Sequence, residues 1–227
     1  MKPALRARRR GNLLVSEPCT YDAICFDFDG VLVESPSIKK QAFVTLYREF
    51  GSEVVAGVLA HHAAQEGISR LEKIRHCHKA FLGADLSDDE VAALGRRYST
   101  EVESQVVACA WVAGAKEFLE THHRRLPLYI ISGTPEDELR RITDQRGMSR
   151  YFSAIYGSPR RKEPILEQIL FDNGYATERI LFIGDAMTDY DAAMTTGVPF
   201  LGRVAPGRAS PFPQGTKIIP DLTGLRV

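Results

Sequence analysis

Cysteine is sparse and unpatterned in this chain: Cys19, Cys25, Cys77 and Cys109 show neither a CxxC nor a Cys-His spacing. With Cys25 inside an apolar run, a disulfide framework and a zinc centre are both unexpected, and a reducing cytoplasm is the expected setting. An excess of one charge is missing too. Lys plus Arg and Asp plus Glu each number 29, so the molecule as a whole offers no basic field for nucleic acid or for an anionic membrane. No apolar run approaches the roughly 18 to 20 residues of a membrane span, and no internal repeat or low-complexity tract is present. What remains is a globular chain of 227 residues, long enough for one core domain with a smaller insertion. Its expected partner is a small molecule. Residues 1–20 carry Arg6, Arg8, Arg9 and Arg10, and the apolar stretch Leu13 to Val15 is too short for the core of a secretory signal. This segment reads as a solvated, poorly ordered basic tail and is assigned no function.

Short apolar runs at Tyr21 to Phe28, Leu128 to Ile131, Ala154 to Tyr156, Ile180 to Ile183 and Val198 to Leu201 read as strands. Between the later ones, Gly114 to Arg125, Pro135 to Arg146, Pro164 to Asn173 and Asp189 to Thr196 carry apolar residues at three and four spacing. Alternating strands and helices predict an α/β fold, a parallel sheet covered on both faces. Between the first two strands lies a strand-free stretch with several amphipathic patterns. It predicts an inserted helical domain over 35–110, with the core built from 21–34 and 111–227. Its expected helices are marked by Ile38, Phe43, Leu46, Tyr47 and Phe50, then Val54 to Ala64, Ile68 to Leu82, and Ser87 through Val107, the last opened by a Ser87/Glu90 capping box. A final short strand is expected near Lys217 to Ile219.

The chemistry begins in CFDFDGVLVES, Cys25 to Ser35. In an extended chain Asp27 and Asp29 project to one face and Phe26 and Phe28 to the other, before Gly30 turns the backbone. Two like charges that close stay ionised together when a cation sits between them, and Mg²⁺ is the simplest one. Ligands of open parallel sheets bind beyond the carboxyl ends of the strands. The residues expected there are Asp27 and Asp29, then Ser132, Gly133 and Thr134, then Lys162, then Asp185 and Asp189. Acids, hydroxyls and an ammonium together suit phosphoryl transfer. Asp27 is the natural nucleophile and Asp29 the acid and base, while Ser132 and the amides after it hold phosphate oxygens and Lys162 neutralises charge. Hard oxygen ligands such as Asp27 and Asp185 suit Mg²⁺.

DFDGVLVES, ISGTP, Lys162 and FIGDAMTDYDAA, in that order, resemble the four motifs of the haloacid dehalogenase (HAD) superfamily. The resemblance covers Tyr21 to Leu201 and implies a Rossmann-like three-layer core with a helical cap of the C1 class. It also implies Mg²⁺ bound by the side chains of Asp27 and Asp185 and the backbone carbonyl of Asp29, with Asp189 in support directly or through water. The presence of Asp29 favours phosphate over halide chemistry. In SPRRKEP, Arg160 or Arg161 can take the place of Lys162 if the register differs. A phosphonate-cleaving relative would need a Schiff-base lysine in the cap, for which Lys39, Lys40, Lys73 and Lys79 are candidates. EGISR, Glu66 to Arg70, is similar to a loop of β-phosphoglucomutases whose Arg grips a distal phosphate.

Simpler readings stand beside these. Asp189 can be a helix N-cap, Thr134 a turn residue, and Arg70 a solvated side chain at a helix start. The cap histidines, His61, His62, His76 and His78, together with His122 and His123, read as packed or surface residues rather than metal ligands, because a hard Mg²⁺ site has no use for imidazole. The function expected is a Mg²⁺-dependent phosphatase acting on a small phosphomonoester such as a sugar phosphate. A β-phosphoglucomutase-like mutase, raised by Arg70, and a low-turnover binding or regulatory protein on the same fold are the alternatives.

Overall fold

The computed structural model describes residues 21–227, so the basic N-terminal segment and Cys19 lie outside the described residues. The chain runs β1 (Ala23–Phe26), four helices α1 (Pro36–Tyr47), α2 (Ser52–Ala64), α3 (Arg70–Leu82) and α4 (Asp88–Ala108), then α5 (Ala115–His122) and β2 (Leu128–Pro135). It continues through α6 (Glu136–Gln145), β3 (Ala154–Ser158), α7 (Lys162–Asn173), β4 (Ile180–Gly184), α8 (Met187–Thr196), β5 (Phe200–Arg203) and β6 (Ile218–Ile219).

The six strands form one parallel sheet in the order β3-β2-β1-β4-β5-β6. β1 is central, and its residues alternate between two buried faces. Ile24 and Phe26 pack with Phe118, Leu119, Leu139 and Ile142 of α5 and α6. Ala23 and Cys25 pack with Ile165, Leu166, Ile169, Ala192 and Ala193 of α7 and α8. A strand covered on both sides must be apolar throughout, which is why AICF reads as a continuous hydrophobic run. The α/β, three-layer, Rossmann-like expectation is met, with the helical insertion after β1.

Element ends differ from the sequence reading in small, explicable ways. The helix expected from Pro164 begins at Lys162, because proline at a third helical position lacks only an amide that would have no partner there. β5 sits slightly later than Val198 to Leu201. The first cap helix ends at Tyr47 and continues as a 3-10 turn over Arg48–Phe50, which Gly51 stops at φ 93°. The fourth is a single helix of 21 residues, opened by the expected Ser87/Glu90 capping box. Within the cap, α1 packs against α2 and α4, and α3 against both α2 and α4. None of the helices among the described residues is long and apolar enough to cross a membrane.

Candidate active site

Neighbouring chain segments leave β1 toward β2 on one side and β4 on the other, so a crevice opens at its carboxyl end. Asp27 follows β1 directly and is held by its amide donating to the Ile183 carbonyl at 2.9 Å. Gly30 then turns the chain at φ 77°, where a Cβ would overlap the Asp185 carboxylate. Glycine therefore lets the β1 loop lie against the β4 loop. From β5, Arg203 braces this turn, donating to the Gly30 carbonyl at 3.0 Å while pairing with Glu34 at 2.7 Å. Nothing in the spacing of Arg203 to the motifs announced that role.

Asp27, Asp185 and Asp189 bring carboxylate oxygens within 4.8 Å of one another. Lys162, the first residue of α7, sits among them, 3.2 Å from Asp27 Oδ1 and ion-paired with Asp189 Oδ1. Arg160 and Arg161 point elsewhere, toward Gln168 and Glu163, so Lys162 is the cation of this segment that reaches Asp27. Asp189 is fully buried, and its second oxygen accepts the Ala186 amide at 3.0 Å. It is the third residue of its helix rather than the N-cap, because α8 starts at Met187. Both its oxygens are engaged by the protein.

Three carboxylates against one ammonium leave two negative charges uncompensated. Burial, then the charges of Asp27 and Asp189, pushes the Asp185 carboxyl well above its ordinary range. Burial also raises Asp27, with the Lys162 ammonium opposing it and Asp189 and Asp29 adding to it. Burial disfavours charge on Lys162, but Asp189 and Asp27 outweigh it and hold the ammonium firmly protonated. Asp27 Oδ1 is buried without a well-aligned hydrogen bond. A buried carboxylate oxygen with only the Lys162 ammonium beside it, next to a raised carboxyl, fits a divalent cation, which takes hard oxygen ligands and supplies the missing charge.

Asp29 is treated differently. It accepts Ser35 Oγ at 2.5 Å and Thr134 Oγ1 at 3.0 Å, and it is paired with Lys39, whose Nζ also donates to Thr134 at 2.7 Å. Burial works against its charge, but the Lys39 ammonium and these hydrogen bonds outweigh burial and lower its pKa. Lys39 therefore reaches the site from α1 as an ion-pair partner. Its place in the first turn after Pro36, four residues from Ser35, is the signal that would have singled it out among the cap lysines. Ser132 lies within β2, which runs on to Pro135 instead of ending at Ile131, and is buried; its Oγ accepts the Thr134 amide at 3.1 Å, which leaves its own proton to donate. Gly133 lies against the Gly67 carbonyl of the cap, where a side chain would not fit.

The pocket above these residues is small, about 80 Å³, and is walled by Asp27, Asp29, Ser132 and Asp185 from the core and by Lys39, Lys73 and His62 from the cap. Arg70 also borders it, yet the guanidinium is already occupied. It pairs with Glu138 of α6 at 2.5 Å and donates to Ser99 of α4 at 2.9 Å, while Ser99 donates to Glu138 at 2.6 Å. Arg70 lies over the Tyr98 ring as well. Neither the solvated reading nor the free phosphate-gripping reading describes this buried side chain; it ties cap to core.

The sequence pattern of the haloacid dehalogenase-like hydrolase family matches residues 24–203, well over half of the chain. The chain belongs to that family. This hydrolase is 24% identical over 202 residues to the phosphoglycolate phosphatase of Escherichia coli, a span covering 79% of each chain. A shorter stretch of 80 residues, 33% of this chain and 36% of the relative, is 35% identical to the 5'-nucleotidase of Pseudomonas aeruginosa. Among solved structures it resembles β-phosphoglucomutase from Clostridium difficile, with a TM-score of 0.73 at 16% identity over 91% of this chain and 93% of that one. A predicted phosphoglycolate phosphatase from Haemophilus somnus gives 0.68 at 19% identity over 90% and 96%. At such identities the structural likenesses speak for the fold alone. Together with the family, the curated relatives agree with the expectation of a hydrolase acting on phosphate esters.

Proposed function

We propose that this HAD-family phosphatase hydrolyses a small phosphomonoester through an aspartyl phosphate on Asp27, with Mg²⁺ as cofactor. The observation that carries the reading is the cluster of Asp27, Asp185 and Asp189, balanced only by Lys162, under a small pocket. Asp27 and Asp185 would hold the metal, whose charge screens the repulsion between a carboxylate and a phosphate. Asp189 supports it by fixing Lys162 and the start of α8.

In the first half-reaction an Asp27 oxygen attacks phosphorus and the ester P–O bond breaks, while Asp29, ionised against Lys39 in the free site, takes up the proton of the incoming monoanionic phosphoester and passes it to the leaving alkoxide. In the second, Asp29 takes a proton from water, whose oxygen displaces Asp27 and releases inorganic phosphate. Ser132 and the Gly133 amide hold phosphate oxygens, and Lys162 offsets their charge in the transition state. Gly30 keeps the first-strand loop close to Asp185. Residues 35–110 act as the cap over a core of 21–34 and 111–227, and closure of the cap excludes water. Phosphatase relatives and the small pocket both favour a compact substrate over a large one. The free thiols of Cys25, Cys77 and Cys109 suit a cytoplasmic setting.

The mutase alternative leaned on Arg70. With that guanidinium paired to Glu138, no observation favours it, and a fold shared with mutases does not restore it. A panel of phosphorylated metabolites, assayed for phosphate release with Mg²⁺ and with EDTA, tests the proposal alongside Asp27→Asn. Turnover should need the metal and fall by about 10⁴-fold or more in Asp27→Asn. Phosphate release that survives the substitution overturns the covalent route.

A further inference from the structure

The cap wall of the pocket holds one cation that the catalytic assignment leaves unexplained. Lys73 of α3 is 4% exposed and borders the pocket. Among the described residues no carboxylate comes within ion-pairing distance of it, and its one hydrogen-bond partner is His62 Nδ1 at 3.1 Å. The other cap cations near the substrate space are neutralised, Lys39 by Asp29 and Arg70 by Glu138. Glu66, the acid on the same wall, pairs with Arg208 at 3.4 Å and attracts Lys73 only from beyond ion-pairing distance, while the Phe43 ring lies 6.0 Å from the Lys73 Nζ.

His62 is no substitute for a counter-ion. Burial, then the Lys73 charge, lowers it to about 3, so it stays neutral and offers only a lone pair. An ammonium carries three donors, and His62 accepts one. Burial and the nearby Lys39 charge lower Lys73 to about 8, which leaves it cationic at neutral pH. A buried, charged group without an ionic partner is unfavourable until an anion arrives.

We propose that Lys73, presented by His62, is the specificity-determining residue for a second anionic group on the substrate, so that the pocket prefers small phosphoesters bearing a carboxylate or second phosphate. The inference rests on the phosphatase reading above, and it deepens that reading by naming the substrate class. The phosphate to be cleaved meets the core residues, while the second acid meets Lys73 at the opposite wall.

The test compares 2-phosphoglycolate, ethanediol bisphosphate and the uncharged-tail analogue 2-hydroxyethyl phosphate on wild type, Lys73→Met and Lys73→Arg. In Lys73→Met, kcat/KM for whichever diacid the wild type prefers should fall about 10- to 100-fold, carried by KM, because one charge-assisted contact is lost. The neutral-tail substrate should be unaffected, and Lys73→Arg should keep the preference. Whether the carboxylate or the second phosphate shows the larger loss identifies the natural anion. Without ligand, Lys73→Met should melt no lower than wild type, since it removes an unpaired buried charge; a purely structural lysine would melt lower.

Ligand-induced stabilisation in the non-turning Asp27→Asn background, with and without Lys73→Met, reads the same contact without turnover. Diacids stabilising the Lys73 form alone would uphold the anion site even if no phosphate is ever released, in which case the phosphatase reading fails by itself. Equal losses on charged and neutral substrates, or a wild-type preference for the neutral tail, would overturn the inference.

Discussion

The floor and the cap wall of the pocket carry opposite surpluses. On the floor, Asp27, Asp185 and Asp189 exceed their single partner Lys162, and the excess is negative. On the wall, Lys39 and Arg70 are cancelled by Asp29 and Glu138, and the ammonium left over at Lys73 is positive. A floor of that kind wants a cation, and a wall of that kind wants an anion. Under the proposed function the difference teaches a division of labour: the floor would set how fast a phosphoryl group moves, and the wall which molecule brings it.

Asp29 gives the largest way to break that division. Asp29→Asn should lower kcat about 10²- to 10⁴-fold on an alkyl phosphate, whose leaving oxygen needs a proton. An aryl phosphate, with its better leaving group, should lose far less in the first half-reaction. Burst kinetics on both substrates check this, and equal loss of the burst rate would remove Asp29 from the acid role.

Next comes the joint between the two regions. Arg70→Met leaves Glu138 buried and unpaired and should destabilise the protein by about 3–5 kcal/mol, whereas Arg70→Met/Glu138→Leu should recover most of the loss. Urea unfolding measures both. A distal phosphate site would show the reverse, with KM raised and stability unmoved.

The smallest effect sharpens the floor. The raised carboxyls of Asp27 and Asp185 bind protons more tightly folded than unfolded, so their contribution to metal-free stability falls as pH rises through their folded pKa values. Mg²⁺ competes with those protons. Its stabilisation of the melting temperature should be clear near pH 7 and shrink toward pH 5; an effect that grows on acidification would remove these acids from the metal site.

Strands and catalytic loops were readable from the sequence because their signals are local. β1 must be apolar on both faces, Asp27 and Asp29 must follow it, and Gly30 must turn the chain. What could not be read was pairing between distant segments. Arg70 and Glu138 are 68 residues apart, and nothing local distinguishes an arginine that grips a ligand from one that grips its own scaffold. The cap lysines illustrate the same limit, since only packing tells that Lys39 meets Asp29 while Lys73 meets a neutral imidazole. Arg203 was invisible for the same reason: its partners Gly30 and Glu34 lie in the first loop.

The central position of β1 has a consequence for synthesis. The strand leading to Asp27 leaves the ribosome before both of its ladder partners, which start at Leu128 on one side and Ile180 on the other. The cap helices are complete by Ala108, and their neighbours are largely one another. A nascent chain can therefore have its whole cap made while β1 is still an unpaired apolar segment in need of shelter. Because Asp185 and Asp189 come later still, a chain interrupted before β4 ends lacks two of the three clustered carboxylates.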